Sequence, residues 1–166
     1  MYLKKIFILL FLILLTSQVS ANSPRSTGKY KNWESFSAVT DAGKICFAQT
    51  KPVKRAPSSI SRKESRLFVT FRPAENIKDE ISMTSGHSYK TSSVTASSGK
   101  KRFSFFSQND FAWLLDRNEE QGFIKLMKKA TNLIVKARTD KGAETTDHYS
   151  MMGFTKAYNT AKKTCS

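Results

Sequence analysis

Acidic side chains are scarce in this sequence: 13 Asp and Glu stand against 28 Lys and Arg, a formal net charge of +15 over 166 residues. An excess of that size points toward anionic partners. Histidine is sparse too, with two residues, and cysteine is no more frequent, also with two. No cluster of His, Cys, Asp or Glu stands at metal-ligand spacing, so no metal is assigned. His87 lies beside Gly86 in a turn pattern, and His148 directly follows Asp147. Neighbours on a strand point to opposite faces, which denies Asp147 and His148 a hydrogen-bonded dyad. Each histidine reads as a solvated or hydrogen-bonded side chain. The chain also lacks a Gly-x-Ser-x-Gly elbow and a Gly-rich phosphate loop. Scattered carboxylates permit an acid/base pair on paper in almost any chain, so no glycosidase argument follows from them. No catalytic residue and no cofactor are assigned, and the chain reads as not an enzyme. The alternative is a periplasmic hydrolase or small-ligand-binding protein whose site is assembled from distant residues.

Long apolar runs are missing as well. The longest, Ile6–Leu15, is about half of the ~20 residues that a membrane-spanning helix requires. Lys4 and Lys5 precede it and Val19-Ser20-Ala21 follow it, the three-part layout of a secretory signal peptide cleaved after Ala21. The expected organisation is therefore a signal peptide over 1–21, a disordered lead-in over 22–32 and one domain over 33–166. Removing the two leader lysines lowers the net charge from +15 to +13. The 39% apolar content is enough for one core. Export places the product in the periplasm or outside the cell, where disulfides persist, and the two cysteines Cys46 and Cys165 are expected to pair. Two free thiols, or bridges to other molecules, are the alternative.

What is present is mostly strand pattern. Trp33–Val39 and Lys44–Thr50 flank the turn formers Asp41 and Gly43 and predict a hairpin. Ile45 and Phe47 alternate with Cys46 and Ala48, so the second strand is apolar on both faces and predicted to be interior. Lys51–Ser65, rich in Pro, Ser and basic residues, predicts a long exposed loop. Arg66–Arg72 predicts a strand stopped by Pro73. Two weaker strands are predicted over Ile81–Thr84 and His87–Thr95. Lys101–Ser107 is another, with Phe103 and Phe105 on one side, and apolar character continues over Phe111–Leu115. Asn118 and Gln121 resemble a capping box for a helix over Glu119–Ala130, with Phe123, Leu126, Met127 and Ala130 on its buried side and Lys125, Lys128 and Lys129 toward water. Leu133–Arg138 and Thr145–Met152 predict a hairpin around Asp140-Lys141-Gly142. After Gly153, the stripe Phe154, Ala157, Tyr158, Ala161 and Cys165 marks a terminal helix that aims Cys165 at the sheet. No internal repeat is found.

Four features occur in the order seen in the invasion-associated locus B family of α-proteobacterial exported proteins, which this chain resembles. They are Trp33, the strand Ile45-Cys46-Phe47-Ala48-Gln49, the turn around Gly142, and the run Tyr149-Ser150-Met151-Met152-Gly153-Phe154-Thr155-Lys156-Ala157. The resemblance spans Trp33 to Cys165, and the middle from Lys51 to Phe111 matches loosely. It implies a mainly β, immunoglobulin-like β-sandwich with a short helix and a C-terminal helix, export, and an interaction role, with no catalytic residue carried over. Many members have additional cysteines, whereas this chain has only Cys46 and Cys165.

Charge is the feature with most functional content. Lys51, Lys54, Arg55, Arg62, Lys63 and Arg66, together with Lys100, Lys101 and Arg102, form the candidate patch for an anionic partner, with Lys162 and Lys163 adding to the helix faces. The expected partner is an anionic envelope or host-surface component, or a protein. A purely solubilising lysine face is the competing reading. Lys100–Phe106 mixes basic and aromatic residues as single-strand nucleic-acid platforms do, but export argues against that partner.

Overall fold

The computed structural model describes residues 23–166; the expected signal peptide lies outside the described residues. Eleven strands and two helices follow one another in the order β1 (Arg25–Tyr30), β2 (Trp33–Thr40), β3 (Gly43–Thr50), β4 (Lys54–Ala56), β5 (Arg66–Arg72), β6 (Ile77–Thr84), β7 (Val94–Ser98), β8 (Lys101–Gln108), β9 (Phe111–Trp113), α1 (Arg117–Lys129), β10 (Asn132–Arg138), β11 (Glu144–Ser150) and α2 (Phe154–Thr164). The strands pair antiparallel in one sheet ordered β1-β2-β3-β5-β6-β9-β8-β7-β10-β11-β4. The described residues are thus mainly β with two helices, which meets the expected fold class at that coarser level.

Strand β8 divides the sheet. Its first half, Lys101–Phe105, pairs with β7, and its second half, Phe106–Gln108, pairs with β9. Side chains alternate along each strand, so one face of each half is apolar. Leu67, Val69, Ile81 and Met83 from one half join Val94, Ala96, Leu133 and Val135 from the other in one buried cluster. Trp33 ties the halves together, its indole N–H donating to the Ser150 carbonyl at 3.0 Å. Phe103 and Phe105 do face together, both edge-on to Phe123 of α1.

Helix α2 closes the structure. Gly153 sits at φ +96°, and a Cβ there would collide with the Tyr30 carbonyl oxygen, so the residue that ends β11 and starts α2 has to be glycine. Phe154, Ala157, Tyr158 and Ala161 are all buried, and Cys165 at the helix end is bridged to Cys46 on β3 with their Cα atoms 5.8 Å apart. Among the described residues, no helix is long and apolar enough to cross a membrane.

Four local expectations need correction. The lead-in is a strand: β1 runs along β2, Thr27 Oγ1 donates to Ser35 Oγ at 2.9 Å, and the Tyr30 hydroxyl meets Thr160. A polar edge strand needs backbone partners rather than an apolar face, which is why composition misread it. The Lys51–Ser65 loop contains β4, which caps the sheet edge on β11. The second weak strand starts only at Val94, because Gly86 and Ser92 hold positive φ and break the path between. The cap of α1 is Asp116, whose carboxylate accepts from the backbone N–H groups of Asn118 and Glu119.

Candidate functional site

The nine predicted patch residues do not form one surface. Arg62 is buried, its side chain 2% exposed, and it pairs with Asp147 of β11, which is 1% exposed. Arg62 Nη1 donates to Asp147 Oδ2 at 3.0 Å and to the Ser85 carbonyl at 3.1 Å, while Nη2 lies 2.7 Å from Asp147 Oδ1 and donates to the Ala56 carbonyl at 3.3 Å. Arg55 turns inward toward the same carboxylate, 3.9 Å away, and donates to the Lys63 carbonyl. Lys51 and Arg66 both pair with Glu64, and Arg66 also donates to Gln49. Their hydrogen bonds hold the Glu64 carboxyl below its usual value. Four of the nine cations are therefore paired within the protein; Lys51 stays exposed as expected, and the exposed-loop expectation is corrected for Arg62, which is buried, and for Arg55, which turns inward. A lone carboxylate at Asp147 would be expensive in this interior, so its long-range arginine is drawn in with it.

Around that pair lies a closed polar cluster. The Tyr89 hydroxyl donates to Ser85 Oγ at 3.0 Å, and burial pushes its titration far up. Burial does the same to Tyr149, whose hydroxyl finds no hydrogen-bond partner among the described residues. His87 bonds through Nδ1 to the Ser88 carbonyl and through Nε2 to Thr145 Oγ1, each at 2.9 Å, so both ring nitrogens are engaged. Asp147 and His148 point to opposite faces, the first buried and the second half-buried. Its pairing with Arg62 places Asp147 to hold β11 to the Lys51–Ser65 segment.

Lys54, Lys63, Lys100, Lys101 and Arg102 remain exposed, and among the described residues none has a carboxylate within salt-bridge reach. The register then brings distant members of the patch together. Lys54 pairs with His148, His148 with Ile134, Ile134 with Ser97 and Ser97 with Arg102, one row across β4, β11, β10, β7 and β8. All five residues point outward, on the side opposite the core. Lys54 and Arg102 thus sit four strand intervals apart, roughly 19 Å, on the same face. Lys136 and Arg138, exposed on the same side of β10, join them, and Glu144 opposite Arg138 is the acid among them. Sequence reasoning missed Lys136 and Arg138, although the alternation that buries Leu133, Val135 and Ala137 already turns them outward. Lys63 lies outside the row, Lys100 sits in the β7–β8 turn, and Lys101, next to Arg102 on β8, alternates to the other side of the strand.

No protein-family model, no curated protein and no solved structure matches this chain.

Proposed function

We propose that the chain is an exported, non-enzymatic binding module that engages an anionic envelope component through the outer face of the β4-β11-β10-β7-β8 half. The observation that carries this reading is the gathering of Lys54, Arg102, Lys136 and Arg138, from three separate strands, on one side where Glu144 is the one nearby carboxylate among the described residues. A flat array of cations suits a surface or polymer that repeats its negative charge, such as lipid phosphates or an acidic glycan. The resemblance to the invasion-associated locus B family supports the exported, interacting character of the module, and with it an immunoglobulin-like arrangement of the two sheet halves. The bridge between Cys46 and Cys165 supports the same compartment, since such bonds persist where thiols are oxidised.

The test is binding of the purified protein to vesicles of phosphatidylglycerol and of phosphatidylcholine at low and high salt. Binding should require the anionic lipid and fall as salt rises. At about 1 kcal/mol per cation near such a surface, reversing Lys54, Arg102 and Lys136 to Glu together weakens it on the order of 100-fold or more. Reversal of Lys125 and Lys129 on α1 serves as the control and should change little. Equal binding to both vesicles, or equal loss from both sets of variants, sinks the proposal.

A further inference from the structure

The outer face of the other half of the sheet has different chemistry. On β3 and β5, Phe47 and Phe68 point away from the core, and on β9 so do Phe111 and Trp113. Phe47 meets Phe68 edge-on with ring centroids 6.2 Å apart, and Phe111 stacks on Trp113 at 5.9 Å. The two pairs form the walls of a shallow open trough of about 370 Å³. Between them lie Thr70 of β5 and Ser82 of β6, small hydroxyl side chains that leave the floor low and polar. Arg72 and Glu80 lie alongside, joined by two hydrogen bonds of 3.1 and 2.9 Å, and Arg72 also pairs with Glu75 at 3.1 Å, so the rim carries planar donors and acceptors with no cation left free. Neither helix covers this face: α2 contributes Cys165 to the opposite side, through Cys46.

We infer that this trough binds a neutral glycan chain, a site separate from the cationic face and independent of the reading given for it. A pyranose ring has apolar C–H faces and polar hydroxyl edges, which is the pattern of the trough: aromatic walls for the faces, hydroxyls and a paired Arg–Glu for the edges. Exposed aromatic clusters on a sheet mark binding surfaces, because folding alone gives no reason to leave such rings in water. The electrostatics turn away an anionic ligand, since Arg72 is already shared between Glu80 and Glu75. The trough itself, three strand intervals by four residues, covers on the order of 200 Å², against about 800 Å² per partner in a stable protein interface. A lipid tail or apolar peptide would leave Thr70, Ser82 and the Arg72–Glu80 pair facing hydrocarbon, at a cost in lost hydration.

The sequence supplies its own reporter. Only two tryptophans exist, and Trp33 is fully buried at the far side of the core, so a change in tryptophan emission on adding ligand reports Trp113. The intact protein is titrated with chitohexaose and with maltohexaose, two neutral six-ring chains, at low salt and in 0.5 M NaCl, a concentration of about 500 mM that screens charge strongly. At least one should shift the emission saturably, with the same affinity at both salt concentrations. Phe111→Ala, the more exposed substitution, should weaken binding about tenfold by removing one ring contact. Trp113→Ala, followed by calorimetry, should weaken it at least as much. No response to either sugar overturns the inference, and so does binding that survives both substitutions. Emission that shifts with protein concentration alone identifies a self-association face and also overturns it.

Discussion

Replacing Arg62 with alanine separates the two ways of reading the segment between β3 and β5. If Arg62 is a solvated cation on a loop, its loss costs a few tenths of a kcal/mol, as surface substitutions do. The structure instead buries it against Asp147 and gives it carbonyl partners at Ser85 and Ala56. Removing one member of a buried ion pair strands the other charge, which costs about 3–5 kcal/mol. In a domain of about 145 residues, each kcal/mol lowers Tm by roughly 3 °C, so Arg62→Ala should lower it by about 9–15 °C. Thermal unfolding followed by circular dichroism measures this directly. Arg62→Met combined with Asp147→Leu should recover at least half of the loss, because the charges then leave together, and a double-mutant cycle should give a coupling of about 2 kcal/mol or more. Binding to phosphatidylglycerol vesicles, corrected for the folded fraction, should be unchanged in Arg62→Ala. A Tm drop under about 3 °C with additive single effects would refute the buried pair and return Arg62 to the surface.

Two further outcomes follow from other parts of the molecule. The bridge from Cys46 to Cys165 joins residues 119 apart, so changing both to Ala should cost about 4–5 kcal/mol in the chain-entropy account, read as a lower urea midpoint; an unchanged midpoint contradicts it. Burial, opposed by the Ile81 N–H and aided by Glu80 and Asp79, lifts the Glu120 carboxyl from 4.5 to about 7. A carboxyl whose pKa is higher folded than unfolded contributes fully below the unfolded value and loses that contribution as pH climbs toward 7. Glu120→Gln should therefore match the parent near pH 4 and exceed it in Tm at pH 8, with about the usual carboxylate range dividing the two regimes; parallel Tm curves across that window would contradict it.

How much of this was legible in the sequence depends on the range of the cause. The stripe that begins at Phe154 is set by helical period alone, so α2 and the burial of its face could be read from spacing, while the partner of Cys165 followed from there being only two cysteines. The β10–β11 hairpin was equally local, with Gly142 at its turn. Arg62 is the opposite case: it stands among prolines, serines and lysines, and only a carboxylate 85 residues later makes it an interior residue. The cationic row has the same character, since Lys54 and Arg102 become neighbours on a face only through three intervening strands.

Strand β3 shows how a correct local reading leads to a wrong environment. Its two apolar faces predicted a strand covered on both sides, yet Cys46 and Ala48 are buried while Ile45 and Phe47 are only half-buried, on a face without a second layer. A protein that needed those rings only for stability would bury them, because the hydrophobic gain comes from removing their area from water. Rings held outward next to Thr70 and Ser82 keep that free energy in reserve for a ligand. Strand β8, paired with β7 and then with β9, links the two chemistries: it sends Arg102 to the cationic face and Phe106 to the aromatic one. A charged partner and an uncharged one would therefore meet the same strand from its two ends, and occupancy of either face can be followed without disturbing the other.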